Sequence, residues 1–152
     1  MIAVAGAGPQ FEAVRELFLE YAQSLGFSLC FQGFDEELAS LPGCYAPPDG
    51  CLLLATVDKV AAGCVGMRKL DAVRCEMKRL YVRPQFRGKG LGRVLAEKSI
   101  AEARRIGYRT MYLDTLPVMA AAQKLYQSFG FVDCAPYYDN SCIDSRCMTR
   151  VI

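Results

Sequence analysis

Apolar residues first recur at helical spacing at Phe11, Val14, Phe18 and Tyr21, which predicts an amphipathic helix over roughly residues 9–24. Asp35 is placed to cap a short second helix running through Glu36 to Ala39, and Pro42 and Gly43 would end it. Two prolines and a glycine make residues 46–50 a loop. Residues 51–57 then read as a strand, Asp58 and Lys59 as a turn, and residues 60–67 as a second strand. Farther on, Leu91, Val94, Leu95, Ala101 and Ile106 share one side of a helix over 91–106, with Gly107 as its stop. Residues 110–114 are β-rich, 119–129 form a further helix ending at Gly130, and 131–134 and 145–151 read as closing strands. This alternation of strand and helix predicts an α/β sheet with right-handed crossovers, in a single domain over 1–152.

The stretch between these halves breaks its own pattern. Cys75 and Met77 lie on one face of a strand, but the next apolar residues, Leu80 and Val82, belong to the opposite phase. The period-two alternation slips by one across Lys78 and Arg79. Such a slip marks a β-bulge, which bends a strand and interrupts its pairing. A strand buried on both faces, with no bulge, is the other way to read it. Pro84 ends this strand.

Composition narrows the class. The chain has 152 residues, of which 53% are hydrophobic and 22% charged, so it can bury a core and is not a disordered or linker segment. No apolar run approaches the roughly 18 residues of a membrane helix, and no basic region precedes the apolar start, so neither a membrane span nor a secretory signal is expected. That makes a cytoplasmic location the default. A net charge of +2 gives no argument for nucleic acid, and the absence of His removes the commonest metal ligand and general base. No two of the eight Cys are spaced C-x-x-C, so they read as buried thiols, with disulfides or a metal site as the alternatives and Cys142 and Cys147 the only close pair. No metal is expected.

Charge is nevertheless concentrated. No acidic residue separates Glu76 from Glu97, whereas Lys78, Arg79, Arg83, Arg87, Lys89 and Arg93 all fall between them. At the centre is Arg87-Gly88-Lys89-Gly90-Leu91-Gly92, between a strand and a helix. Glycines let a backbone turn tightly against a ligand, and the unpaired first amides of a helix carry the positive end of its dipole. Together they make a socket for phosphate or pyrophosphate. The run is neither G-x-x-x-x-G-K-[ST] nor G-x-G-x-x-G, since Arg93 stands where the last Gly would be.

The run from Glu76 to Pro84 followed by Arg87 to Gly92 resembles the acetyl-CoA site of the GNAT superfamily of N-acetyltransferases, whose signature Q/R-x-x-G-x-G/A is matched by Arg87, Gly90 and Gly92. Leu125-Tyr126 and Gly130-Phe131 resemble the family's second landmark. The resemblance implies a mixed central sheet with a splayed, bulged middle strand and flanking helices. It implies that Arg87, Gly88, Lys89, Gly90, Leu91, Gly92 and Arg93 hold the pyrophosphate of CoA. It also implies that the backbone of Leu80, Tyr81 and Val82 pairs with the pantetheine arm, with the Leu80 amide polarising the thioester carbonyl. Tyr126 matches the tyrosine that protonates the departing sulfur; an ordinary core aromatic beside Ala122 and Phe129 is the alternative. Glu76, the only acid near this strand, is taken as a partly buried general base acting through water, or else as a surface carboxylate paired with Lys78 or Arg74.

One position departs from the family. Seven residues before Tyr126, where many members carry Asn, stands Met119, so a polar contact to CoA is missing or comes from Thr115 or Gln123. Phe31, Phe34, Tyr45, Tyr137 and Tyr138 are available to line the acceptor side, and Asp35, Glu36 and Glu37 to attract a cationic amine or simply to start a helix. The reading is an acetyl-CoA-dependent N-acetyltransferase acting on the primary amine of a small molecule or amino-acid-like acceptor. An acyl-CoA-binding regulator of the same fold and a nucleotide-binding module without CoA are the alternatives. Homodimers are common in this family, though nothing in the sequence demands one.

Overall fold

The apolar run of β2 (Cys51–Val57) shows no alternation because both faces of the strand are covered. Leu53 and Ala55 join a core on one side of the sheet, and Leu52 and Leu54 join a second core on the other. The computed structural model describes residues 1–6, 8–25, 33–116, 119–137 and 145–152. Its other strands are β1 (Ile2–Val4), β3 (Val60–Lys69), β4 (Arg74–Val82), β5 (Thr110–Thr115), β6 (Val132–Asp133) and β7 (Arg146–Val151). They form a seven-stranded sheet in the order β1-β2-β3-β4-β5-β7-β6. Helix α1 (Gly8–Ser24) and the short α2 (Phe34–Ala39) cover one face; α3 (Leu91–Ile106) and α4 (Ala120–Ser128) cover the other.

Most element boundaries fall where the pattern places them. Asp58 and Lys59, at φ 50 and 67, supply the two left-handed residues that a tight hairpin needs. Gly107, at φ 114, closes α3 by bonding back to Ala103 and Arg104. Three features differ. β1 is an edge strand too short to carry a pattern. Asp35 lies inside the first turn of α2, and the cap position is the left-handed Gly33. Among the described strands only β4 and β5 are parallel, so the sheet is mixed, as the family resemblance implies, rather than the succession of crossovers that the alternation of elements suggests.

The slipped alternation in β4 is a bulge. Gly66 pairs with Lys78 and Cys64 with Tyr81, so Arg79 and Leu80 together oppose Val65. Arg79 takes the left-handed conformation, φ 61. Cys75, Met77, Leu80 and Val82 all reach the α3 side, whereas Cys64 and Tyr81 belong to the α1 side. On its other edge β4 pairs with β5 only from Arg74 to Glu76; from Met77 on the two strands separate, and β5 continues to Thr115 paired with β7 alone. The bulge and the separation open a V at the middle of the sheet.

Behind the bulge, Tyr45 is fully buried and its ring packs against Gly66, where an added Cβ would come within 2.7 Å of the ring. Gly66→Ala is therefore expected to cost about 1–3 kcal/mol of stability, read from urea unfolding, because neither the strand nor the enclosed ring can yield freely.

Candidate active site

Proline at position 84 closes β4, and a 3-10 turn (Pro84–Phe86) carries the chain into the glycine-bearing bend. Gly88 and Gly90 adopt φ 81 and 79, and a Cβ added at either would meet nothing within 4 Å. The first helical hydrogen bond of α3 runs from Val94 N–H to the Gly90 carbonyl at 3.1 Å. The amides from Gly88 to Arg93 thus donate to no backbone carbonyl among the described residues. They border a cleft of about 540 Å³. It runs past Leu80, Tyr81 and Val82 of β4 to Ala122 and Leu125 of α4, and is bounded on the α1 side by Tyr21 and Leu25. An open bend of unengaged amides, leading to a strand edge that lacks a neighbour, fits a pyrophosphate joined to an extended amide-bearing arm.

The cations divide into two groups. Lys78 and Arg79 are turned inward to Glu76 and Glu37, and Arg83 is held by Glu20. The Arg79–Glu37 and Arg83–Glu20 pairs fasten the sheet to α2 and α1 and leave Arg87, Lys89 and Arg93 at the bend. Arg87 donates through Nε to the Val82 carbonyl at 2.8 Å and lies over the Tyr81 ring. Arg93 lies over Phe129 and donates to Ser128, bracing α3 on α4. Lys89 is exposed and stands outside the cleft wall, without an ionic partner among the described residues. Gly90→Val should weaken binding of a pyrophosphate-bearing ligand at the bend roughly 10- to 100-fold by calorimetry, since a β-branched residue at positive φ costs on the order of 1–3 kcal/mol and would turn the amides away.

Glu76 stands at the point of the V. Its backbone makes the last β4–β5 pair, with Tyr112, and its side chain faces away from Cys75 and Met77, as the register predicts. It is neither partly buried nor on the surface: the residue has no exposure at all. Arg68 Nε donates to Oε1 at 2.6 Å, Tyr137 donates its hydroxyl to Oε2, and the Lys78 ammonium is 4.0 Å from Oε1. Arg74 pairs with Asp71 instead. Burial pushes the Lys78 ammonium below its ordinary pKa. Arg68 was not legible as a site residue, although counting back across the 70–73 turn pairs it directly with Glu76.

Tyr126 is buried, edge-on to Phe131, one turn past Ala122. The cleft wall does not include its ring, but its phenol senses Tyr21, which is on that wall, and Asp114, on the separated part of β5. Its hydroxyl has no hydrogen-bond partner among the described residues, and burial raises its pKa above the ordinary 10. Met119 does line the cleft. The polar substitutes considered for it are engaged elsewhere: Thr115 donates to the Met119 sulfur at 3.9 Å, and Gln123 donates to the Leu116 carbonyl and accepts from Arg146.

Of the aromatic candidates for the acceptor side, Phe34 is buried under Arg79 and Tyr45 is core. Tyr137 reaches Glu76 and packs on Tyr112 with ring centroids 5.0 Å apart. Phe31 and Tyr138 lie outside the described residues, as do Cys30 and Cys142. Cys51, Cys64, Cys75 and Cys147 are buried thiols, with Cys51 and Cys75 each pushed up to about 12 by desolvation, whereas Cys44 is exposed. No helix among the described residues is long and apolar enough to cross a membrane.

The comparisons with known proteins agree with this architecture. Residues 11–131 match the acetyltransferase (GNAT) family model. An uncharacterized N-acetyltransferase of Schizosaccharomyces pombe is 44% identical over 128 residues, covering 83% of this chain and 78% of the relative. An acetyltransferase crystal structure from Streptococcus agalactiae superposes with a TM-score of 0.82 at 19% identity, covering 100% and 98% of the two chains. A GNAT family acetyltransferase of Elizabethkingia anophelis, solved with acetyl-CoA bound, gives 0.72 at 22% identity, covering 100% and 97%. Those structures share the fold; the family match and the sequence relative carry the assignment. The chain belongs to the GNAT family of acetyltransferases and is an acyltransferase.

Proposed function

We propose that the protein moves an acetyl group from acetyl-CoA to the primary amine of a small molecule or amino-acid-like acceptor by direct attack. The observation that carries this reading is the row of unengaged amides from Gly88 to Arg93, opening into a cleft that follows the unpaired edge of β4. In this reading those amides, with Arg87, Lys89 and Arg93 around them, hold the pyrophosphate. The backbone of Leu80, Tyr81 and Val82 receives the pantetheine arm as a further strand would be received. When bound, acetyl-CoA supplies a thioester whose carbonyl carbon an amine can attack and whose sulfur can leave as a thiolate. The amide of Leu80, on the bulge, is the donor for the developing oxyanion. Glu76 takes the amine's proton through water, and Tyr126 Oη gives a proton to the sulfur. Met119, in place of an amide side chain, leaves the cofactor's hold on α4 to apolar contact.

Titration calorimetry with acetyl-CoA, CoA and ATP tests the donor. Binding of acetyl-CoA and CoA but not ATP is expected; the reverse would replace this reading by a nucleotide-binding module. Release of free thiol across a panel of amines then tests the transfer. Silence with every amine alongside tight acetyl-CoA binding would favour a regulator of the same fold.

A further inference from the structure

We infer that Arg68 and Lys78, on either side of Glu76, receive a carboxylate of the acceptor, so that the enzyme's amine substrates are amino acids or similar amino carboxylates. This rests on the reading of the cleft given above and names the acceptor class for it.

Position comes first. β4 and β5 part immediately after the Glu76–Tyr112 pair, so the closed end of the V is at Glu76. Arg68 is the cross-strand neighbour of Glu76 on β3, and Lys78 is two residues along β4, on the same face and already in the part whose β5-side edge is open. A donor held at residues 88–93 and running down that edge brings its acyl end toward these side chains.

Charge comes next. One carboxylate faces two cations, so the trio carries one surplus positive charge. Of the nearby charges, the Asp114 carboxylate also acts on Lys78 and offsets part of this charge. Arg79 and Glu37 satisfy each other through two hydrogen bonds of 3.0 and 3.2 Å, and Arg74 is held by Asp71. Asp114 lies farther along β5, across the opening of the V. Each Glu76 oxygen already accepts one hydrogen bond, from the Arg68 guanidinium on Oε1 and from the Tyr137 hydroxyl on Oε2.

Unspent donors complete the argument. Among the described residues Arg68, whose side chain is 34% exposed, donates only through Nε, and Lys78, whose side chain is 9% exposed, donates no hydrogen bond. Burial lowers the pKa of this ammonium, so a further anionic partner would stabilise its charged form. A carboxylate offers two oxygens, enough for the outer nitrogens of one guanidinium and one ammonium. The Tyr112–Tyr137 stack borders this place on the β5 side. Asp114, of opposite sign, would draw the ammonium end of a zwitterion toward the opening.

The test uses the whole chain. The CoA-saturated protein is titrated calorimetrically with the common L-amino acids, β-alanine and 4-aminobutyrate, and with the amides of the same α-amino acids and plain alkylamines. Thiol release from acetyl-CoA is measured with the same panel. At least one amino carboxylate should bind, and its amide should be at least about 10-fold weaker. Lys78→Met, which keeps side-chain length, should raise KM for that acid roughly 10- to 100-fold while acetyl-CoA affinity holds. Arg68→Lys, which leaves Glu76 a cation, should do the same in a protein whose melting temperature shows it folded. Amides or alkylamines serving as well as the acids, an unmoved KM in both variants, or no carboxylate-dependent binding at all would overturn the inference. Failure of acetyl-CoA itself to bind would instead overturn the proposed function beneath it.

Discussion

Glu76→Gln is expected to lower the unfolding free energy by about 3 kcal/mol and the turnover number by about 10²–10⁴. The stability loss follows from burial. Glu76 is wholly enclosed, and its neutral replacement would leave Arg68 and the nearly buried Lys78 without the charge they share. Breaking such a pair from one side typically costs about 3–5 kcal/mol, and the low end applies because a third of the Arg68 side chain meets solvent. The loss of turnover follows only if Glu76 also takes the amine's proton. Urea unfolding and single-turnover kinetics therefore answer different questions. A destabilised variant that transfers acetyl groups at the normal rate would leave Glu76 a charge partner for two cations and nothing more. Glu76→Asp keeps the charge and separates the two further: it should recover much of the stability while the shortened side chain still slows transfer.

The elements of this fold were legible because each rests on local repetition. The helical spacing of Phe11, Val14 and Phe18, and the left-handed stop at Gly107, are set by residues a few positions apart. The slip between Met77 and Leu80 was readable for the same reason. A bulge shifts the phase of the residues on either side of it, and phase is visible in one dimension. The glycine-bearing bend at 88–92 was legible because its amides are supplied by the chain itself.

What was not legible is non-local. Arg83 meets Glu20 across 63 positions, and Arg79 meets Glu37 across 42. With those partners out of sight, six cations in an acid-free stretch looked like a single anion site, whereas Arg79 and Arg83 are internal ties and Lys78 faces Glu76. Tyr137 and Arg68 join Glu76 from other elements, so the environment of the proposed base could not be read from the neighbours of Glu76 in sequence. Met119 was visible as a departure, yet the polar stand-ins proposed for it, Thr115 and Gln123, are spent on local bonds that only the path between β5 and α4 reveals.

Tyr126→Phe should reduce the turnover number by about 10²–10⁴ and leave acetyl-CoA affinity within roughly twofold. The phenol ring belongs to the core, and Phe keeps its contacts with Phe131, so removal of one oxygen disturbs neither the packing nor the bend that holds the pyrophosphate. The hydroxyl itself has no partner among the described residues, so no structural bond is broken with it. Burial, reinforced by Tyr21 and Asp114 nearby, holds the phenol pKa above 10. Tyr126 thus stays protonated through neutral and mildly alkaline pH and can act as a donor there. It follows that any alkaline fall in the wild-type rate below about pH 10 belongs to another group. The tyrosine and phenylalanine forms should therefore show parallel pH profiles, displaced in height only. Measuring kcat from pH 6 to 10 for both forms, beside a calorimetric titration with acetyl-CoA, decides the matter. An equal turnover number would return Tyr126 to the core as packing, and a changed alkaline limb would mean that its phenol titrates in spite of its burial.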